Sequence, residues 1–328
     1  MSFLNTIQSK PLHQLHLNRP EALNALNMSM IEGISAAINA MHADENAFGL
    51  VITGEGRAFC AGGDIKAART LGSRDPKLAD AYFKLEYEMN RSLFGSDKCT
   101  VAIMDGVTMG GGVGVANACQ YRICTDNTKW AMPETAIGFF PDVGGAYYLA
   151  QMGEGLDLYF GLTGAVIANP SHLITYNLAT HYVPADKIED FKVVLSEAKN
   201  EDDVKTCLDR FSTTPEGSNI TDTIDIEMLK VLKNNDLEGA IKKSKLLQSK
   251  SPTSLMLAYR HIMMASDEGF EAVSHRDLKL AKYCMRHSDF FEGVRALLID
   301  KDKNPQWIPD KIEDLDMSKI NALFTKTI

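Results

Sequence analysis

The chain has 328 residues, 45% of them apolar and 23% charged, ordinary proportions for a folded globular protein and too apolar for a disordered one. Its formal net charge of −9 disfavours non-specific attraction to nucleic acid or an anionic membrane, since a phosphate backbone would be repelled overall. Six cysteines lie scattered with no C-x-x-C pair, so neither a zinc site nor a secreted disulfide framework is expected, and they read as buried core residues in a reducing compartment. No apolar run approaches the roughly 18–20 residues of a membrane span. The opening Met1–Thr6 shows neither a signal-peptide core nor an Arg-rich leader.

Along the first 190 or so residues, short apolar runs alternate with helical patterns. Leu15-His16-Leu17 ends a strand that Asn18-Arg19-Pro20 interrupts, and Asn27 can cap a helix carrying Ile31, Ile34, Ile38 and Met41 at helical spacing. Gly49–Thr53 is a strand, followed by a glycine-bearing segment from Gly54 to Asp64 and a charged helical stretch to about Arg91. Thr100–Met104 is a second buried strand, leading into Gly110-Gly111-Gly112 and an apolar helix, and Tyr121–Thr125 is a third strand. Repeated β-β-α units predict an α/β architecture. From about Glu201 helical patterns take over, among them a start at Ser251-Pro252-Thr253-Ser254 and a helix over Asp289–Ile299. Asn304–Pro309 is extended and proline-broken. Two regions are therefore expected, a core over 1–200 and a helical region over 201–328.

Two segments share one design of strand, glycines and helix: Arg57–Asp64 and Asp105–Gly114. Glycine lets backbone approach a ligand without a Cβ, and the first turn of a helix leaves N–H groups unpaired at its positive end. Two such groups converging on one carbonyl would form an oxyanion hole; close helix packing is the alternative use of three glycines. Nucleotide motifs fail here. A P-loop needs Lys and Ser/Thr after its last glycine, and the dinucleotide fingerprint meets Val115 or Asn117 where it needs glycine or alanine.

A third segment, Trp130–Gly145, holds Glu134 and Asp142 in otherwise apolar surroundings. Desolvation raises a carboxyl pKa and suits it to proton transfer or nucleophilic work. The structural alternative is a local cap at Glu134 and a Pro-Asp turn at Asp142. The eight histidines form no H-E-x-x-H or comparable cluster, so no metal is expected.

In this order, with Leu17–Leu26 upstream, Phe59-Cys60-Ala61-Gly62-Gly63-Asp64 and Gly110-Gly111-Gly112 resemble the crotonase (enoyl-CoA hydratase/isomerase) superfamily over nearly the whole chain. The resemblance implies a spiral of ββα units with a helical C-terminal region, and an acyl-CoA thioester as substrate. It places oxyanion-hole N–H groups on Gly63 and Gly111, and a CoA groove along Ala22, Ala61 and Ile65. Hydratases of the superfamily carry one glutamate just after the triple glycine and a second in a Q-P-E-like segment. Here the first position is Gly114, while Glu134 keeps the second and Asp142 stands where hydratases usually have glycine.

Met132–Gly145 and Glu292–Trp307 instead resemble the 3-hydroxyisobutyryl-CoA hydrolase branch, in which Glu86 matches a further substrate-contacting glutamate. That branch implies thioester hydrolysis in valine breakdown, with Glu134 as nucleophile or general base and Asp142 on the substrate 3-hydroxyl or the water. It implies no cofactor beyond the CoA carried by the substrate, no nucleic-acid or membrane partner, and a cytoplasmic (bacterial) or mitochondrial-matrix (eukaryotic) setting. Homo-oligomers are common on this fold, and no interface is legible in one sequence. The region before Leu17 is shorter than is common in the branch, and Lys66 reads equally as a phosphate partner or an exposed lysine. Two other readings stand beside the hydrolase: a hydratase or isomerase, and a non-catalytic binding or ribosome-associated protein on the same fold.

Overall fold

Burial on both faces shapes the β elements. Every residue of the strand Cys99–Met104 is buried and all but Thr100 are apolar, a run of the kind found where helices cover both sides of a parallel sheet. A computed structural model describes residues 3–325; residues 1–2, part of the opening read above for a leader, and 326–328 lie outside the described residues. Nine strands are present among them: β1 (Leu4–Ile7), β2 (Leu12–Leu17), β3 (Gly49–Gly54), β4 (Ala58–Cys60), β5 (Cys99–Met104), β6 (Val107–Met109), β7 (Tyr121–Cys124), β8 (Lys129–Ala131) and β9 (His181–Tyr182). They form a six-stranded sheet in the order β1-β2-β3-β5-β7-β9 and a three-stranded sheet in the order β4-β6-β8. Among the paired strands of the described residues, only β1 and β2 run antiparallel.

The described residues fall into two interleaved units. One comprises residues 3–63, 88–131 and 166–222 and holds both sheets; the other comprises residues 64–87, 132–165 and 223–325. In the first unit, Leu12, Val51, Val101, Ile103 and Ile123 from one sheet face pack with Ile188, Phe191 and Leu195 of the helix Ile188–Leu195 and with Val204, Cys207 and Leu208 of the helix Glu201–Phe211. Full burial of each such side chain stabilises by about 1.5–3 kcal/mol before conformational entropy is subtracted. The helix Met28–Ala43 begins at Asn27, whose side chain accepts from the Met30 N–H, and it buries Ile31, Ile34, Ile38 and Met41 as their spacing predicts.

The glycine segments do not follow the long strands directly. A second, three-residue strand intervenes in each unit of the pattern, β4 after β3 and β6 after β5, too short to register as an apolar run. β4, β6 and β8 run parallel, with Ala58 opposite Val107 and Thr108 opposite Trp130. The charged stretch beyond Asp64 is two helices, Ile65–Arg74 and Pro76–Phe94, separated at Asp75 because the residue before proline is pushed out of helical geometry.

The second unit is built of helices. The helix Pro252–Ala265 starts where expected, with the Ser251 side chain accepting from the Ser254 N–H. The helix expected over Asp289–Ile299 is regular only across Ser288–Val294 and then widens into a π turn over Arg295–Ile299.

Candidate active site

The two glycine loops belong to the first unit and lie side by side. After β4 the chain turns through Gly62, whose φ of +114° is a conformation that side-chain-bearing residues rarely adopt. An added Cβ there would stand 3.2 Å from the Met109 carbonyl and 3.5 Å from the Gly111 nitrogen. Gly112 lies closer still to β4, with its Cβ direction blocked by the Cys60 carbonyl. Gly111 opens the helix Gly111–Asn117, so its N–H has no intrahelical acceptor. Neither the Gly63 nor the Gly111 N–H donates to another group among the described residues. These are two open amides on adjoining loops, one at the positive end of a helix. Close packing and amide exposure are thus both satisfied by the same glycines.

Leu26 N–H donates to the Gly62 carbonyl at 2.8 Å and Ala61 N–H to the Leu23 carbonyl at 2.9 Å, which brings the Ala22 region and the Ala61 loop together. Ala22 ends a short 3₁₀ turn, Pro20–Ala22, and both Ala22 and Ala61 are partly exposed. Ile65 is the first residue of the helix Ile65–Arg74, in the second unit, and Lys66 beside it is exposed. Gly114 is buried in the helix Gly111–Asn117 and presents no side chain.

Glu86, Glu134 and Asp142 all belong to the second unit and are buried together. Glu134 opens a 3₁₀ turn, Glu134–Ile137, and is 7% exposed; Asp142, in the turn before the helix Gly145–Ala150, is 5% exposed. Glu86 is 2% exposed although it lies on the charged helix Pro76–Phe94. One oxygen each of Glu86 (Oε1) and Glu134 (Oε2) is buried without a hydrogen-bond partner among the described residues. Burial pushes the Glu134 carboxyl well above its ordinary range, and the Asp142 charge pushes it further, with Lys250 pulling the other way. Glu86 is raised by burial and then by Asp142. Asp142 is pushed up to about 8 by burial, against the hydrogen bond from Tyr87. Three carboxyls in one dry cluster cannot all ionise near neutral pH, and such groups are suited to hold and move protons.

Three participants were missed by sequence reasoning. Tyr87 donates to Asp142 Oδ2 at 2.6 Å. Asp277 accepts the Gly144 N–H at 2.8 Å and so fixes the turn that carries Asp142. Its other oxygen pairs with His261 Nε2 at 2.6 Å, and His261 Nδ1 receives Arg276 Nε at 2.9 Å. A guanidinium only donates, so Nδ1 must be the acceptor and Nε2 carries the proton toward Asp277. Lys250 is 5% exposed and donates to Thr135 Oγ1 at 2.9 Å. Tyr87 was within reach of sequence reasoning as the neighbour of Glu86; Lys250, 116 positions after Glu134, gave no local signal.

Among the described residues, no group of three or more His, Cys, Asp or Glu side chains could hold a metal ion, and no helix is long and apolar enough to cross a membrane. All six cysteines are buried and free.

The family model described as enoyl-CoA hydratase/isomerase matches residues 12–324. The chain is 36% identical to the mitochondrial 3-hydroxyisobutyryl-CoA hydrolase of Xenopus tropicalis, covering 94% of this chain and 85% of the relative. It is 34% identical to that of Homo sapiens, covering 94% and 84%. Among solved structures it is similar to a carnitinyl-CoA dehydratase from Mycobacterium thermoresistibile, with TM-score 0.88 and 29% identity over 100% of this chain and 97% of the other. An enoyl-CoA hydratase from Rhodobacter sphaeroides 2.4.1 superposes with TM-score 0.84 at 27% identity, over 99% and 98%. The α/β architecture, the ordered glycine segments and these likenesses agree: the chain belongs to the enoyl-CoA hydratase/isomerase family, the crotonase superfamily, in the branch of the 3-hydroxyisobutyryl-CoA hydrolases.

Proposed function

We propose that this chain is a thioester hydrolase that releases CoA and 3-hydroxyisobutyrate from 3-hydroxyisobutyryl-CoA, a step of valine breakdown. The observation that carries the reading is the buried set Glu86, Glu134 and Asp142, combined with glycine at position 114. Addition of water across a double bond needs coordinated acid and base groups, and Gly114 supplies neither. The relatives named as hydrolases support the same reading.

In the proposed reaction the thioester oxygen accepts from the Gly63 and Gly111 N–H groups, where loss of one donor raises a barrier by about 3 kcal/mol. Ionised Glu134 either attacks the carbonyl carbon or takes a proton from water that attacks it. In the first route the C–S bond breaks, CoA leaves as a thiolate that takes up a proton, and water then cleaves the acyl-glutamyl anhydride. Both routes consume one water and yield the free acid and CoA-SH. Asp142 holds the substrate 3-hydroxyl or the water, with Glu86 assisting, and Ala22, Ala61 and Ile65 line the CoA groove. Glu134 needs no cofactor for this. The setting is the mitochondrial matrix in a eukaryote or the cytoplasm in a bacterium, and the chain works alone or as a homo-oligomer.

The likeness to a dehydratase structure favours hydration of an enoyl-CoA as the second reading. Free-thiol release from a panel of short acyl-CoAs, run beside absorbance at the enoyl-thioester band with crotonyl-CoA, separates the two. Thiol release greatest with 3-hydroxyisobutyryl-CoA supports the hydrolase. Band loss without thiol release supports the hydratase, and silence in both assays with salt-sensitive RNA binding supports a non-catalytic protein.

A further inference from the structure

Lys250 has no part in the reaction just described, yet it is a cation placed in the same buried cluster. It precedes the N-cap Ser251 of the helix Pro252–Ala265 and is 5% exposed. Taking an ammonium out of water is costly unless a negative charge compensates it. Among the described residues its Nζ meets one acceptor, the Thr135 hydroxyl at 2.9 Å. Thr135 in turn donates to the Leu162 carbonyl at 2.9 Å, so its oxygen is left to accept from Lys250, and the ammonium retains two further N–H groups. Thr135 is the residue after Glu134, whose Oε2 is buried without a partner. Lys250 makes no ion pair with Glu134 within 4.0 Å. The cation and the Glu134 charge act on each other, and no bond ties the cation to the unpartnered oxygen.

We propose that Lys250 is a positioning residue for the thioester hydrolysis assigned above, serving as the buried counter-charge that favours the ionised form of Glu134 while leaving its reactive oxygen free. The proposal rests on that functional reading. The groups bearing on Glu134 are Asp142 in the turn before the helix Gly145–Ala150, Glu86 on the helix Pro76–Phe94, and Lys250; Tyr87 and Asp277 bear on Asp142. Both carboxyls push the Glu134 pKa up; a backbone N–H at Glu134 and then Lys250 bring it down, and Lys250 is the one side chain of the three that does so. The influence is mutual: burial lowers the Lys250 ammonium to about 8, and the Glu134 charge opposes that fall. A direct salt bridge would have tied up the carboxylate; a hydrogen bond to the adjacent Thr135 holds the cation one residue away instead.

The test compares Lys250→Met, Lys250→Gln and Lys250→Arg on the full chain, with folding checked by thermal unfolding. Removing the cation leaves only the backbone N–H at Glu134 to oppose the two carboxyls, so the Glu134 pKa rises. For Lys250→Met and Lys250→Gln the acid limb of the kcat profile should move up by about 1 pH unit or more, and kcat at pH 7 should fall about 10-fold or more, with KM changed by less than about 3-fold. Lys250→Arg should keep the wild-type limb. Should Lys250→Met not fold, Lys250→Gln carries the comparison, since its amide can still donate to Thr135 Oγ1. An unmoved acid limb in a folded, charge-free variant overturns the proposal, as does a shift shared equally by Lys250→Arg. Infrared titration of the Glu134 carboxyl, assigned by its loss in Glu134→Gln, reads the coupling without turnover. A wild-type protein that releases no thiol overturns the hydrolase reading, and the infrared shift between wild type and Lys250→Gln then decides the charge pairing by itself.

Discussion

The Tyr87 hydroxyl donates to Asp142 Oδ2 across 2.6 Å, between two buried side chains. The bond favours the ionised carboxylate and opposes the burial that drives Asp142 up to about 8. Tyr87→Phe keeps the ring and removes the donor. Asp142 should then titrate higher still, and an acceptor left unpaired in the interior costs about 1–3 kcal/mol of stability. Thermal unfolding together with the pH profile of thiol release checks both effects; a variant unchanged in both would show the bond to be idle.

Asp142 also predicts how stability varies with pH. Its folded pKa, about 8, lies above the ordinary 3.8, so between these values the folded chain holds a proton that the unfolded chain has released. That contribution is fully present below the ordinary carboxyl pKa and is lost as pH rises through about 8. Asp142→Asn removes the titration while keeping an acceptor for Tyr87. It should flatten the fall in Tm between pH 5 and pH 8 and raise Tm at pH 8 by about 3 °C, while abolishing most turnover. Parallel Tm–pH curves for variant and wild type would contradict this.

Glu134→Ala should lower kcat by about 10³-fold or more and leave the Kd for a non-hydrolysable acyl-CoA analogue within a few-fold of wild type. Near-normal hydrolysis would rule out its assigned role. In single-turnover hydrolysis in heavy-oxygen water, label in the Glu134 peptide marks an anhydride cleaved at the glutamyl carbonyl, whereas label in the product acid alone excludes that course and leaves water attack at the acyl carbon.

Gly62 tests the loop pair independently of the carboxylates. Its φ of +114° and the 3.2 Å approach of an added Cβ to the Met109 carbonyl leave no unstrained place for alanine. Gly62→Ala should cost about 1–3 kcal/mol of stability and, by displacing the open amides, slow thiol release about 100-fold. A shift in KM alone would show that the loops bind CoA without polarising the carbonyl.

The cysteines bear on the assay itself. Burial raises Cys99, Cys119 and Cys124 to about 12 and Cys207 to about 11, and pushes Cys284 higher still. Thiolate is the reactive form, so the native protein should consume little thiol reagent over minutes, whereas the unfolded protein should titrate six. Rapid reaction of the native chain would show that one of these residues is reached by solvent.

Much of this molecule is legible in the order of its amino acids. Asn27 ahead of a helical apolar stripe, the continuous runs in β3 and β5, and the Ser251-Pro252 start are local signals, and each depends on residues a few positions apart. The glycine segments and the pair Glu134 and Asp142 are legible for the same reason, because one short stretch of chain carries each motif. The short strands β4 and β6 escape, since three residues make no periodicity.

What tertiary structure alone decided is the company each group keeps. Glu86 sits on a charged helix, and only packing makes it a buried member of the carboxyl cluster. The sequence by itself determined the family, the open amides' loops and the two carboxylates that follow them. It did not bring in Tyr87, Asp277 or Lys250, because a pKa depends on distance and dielectric, and both arise between residues far apart in the chain.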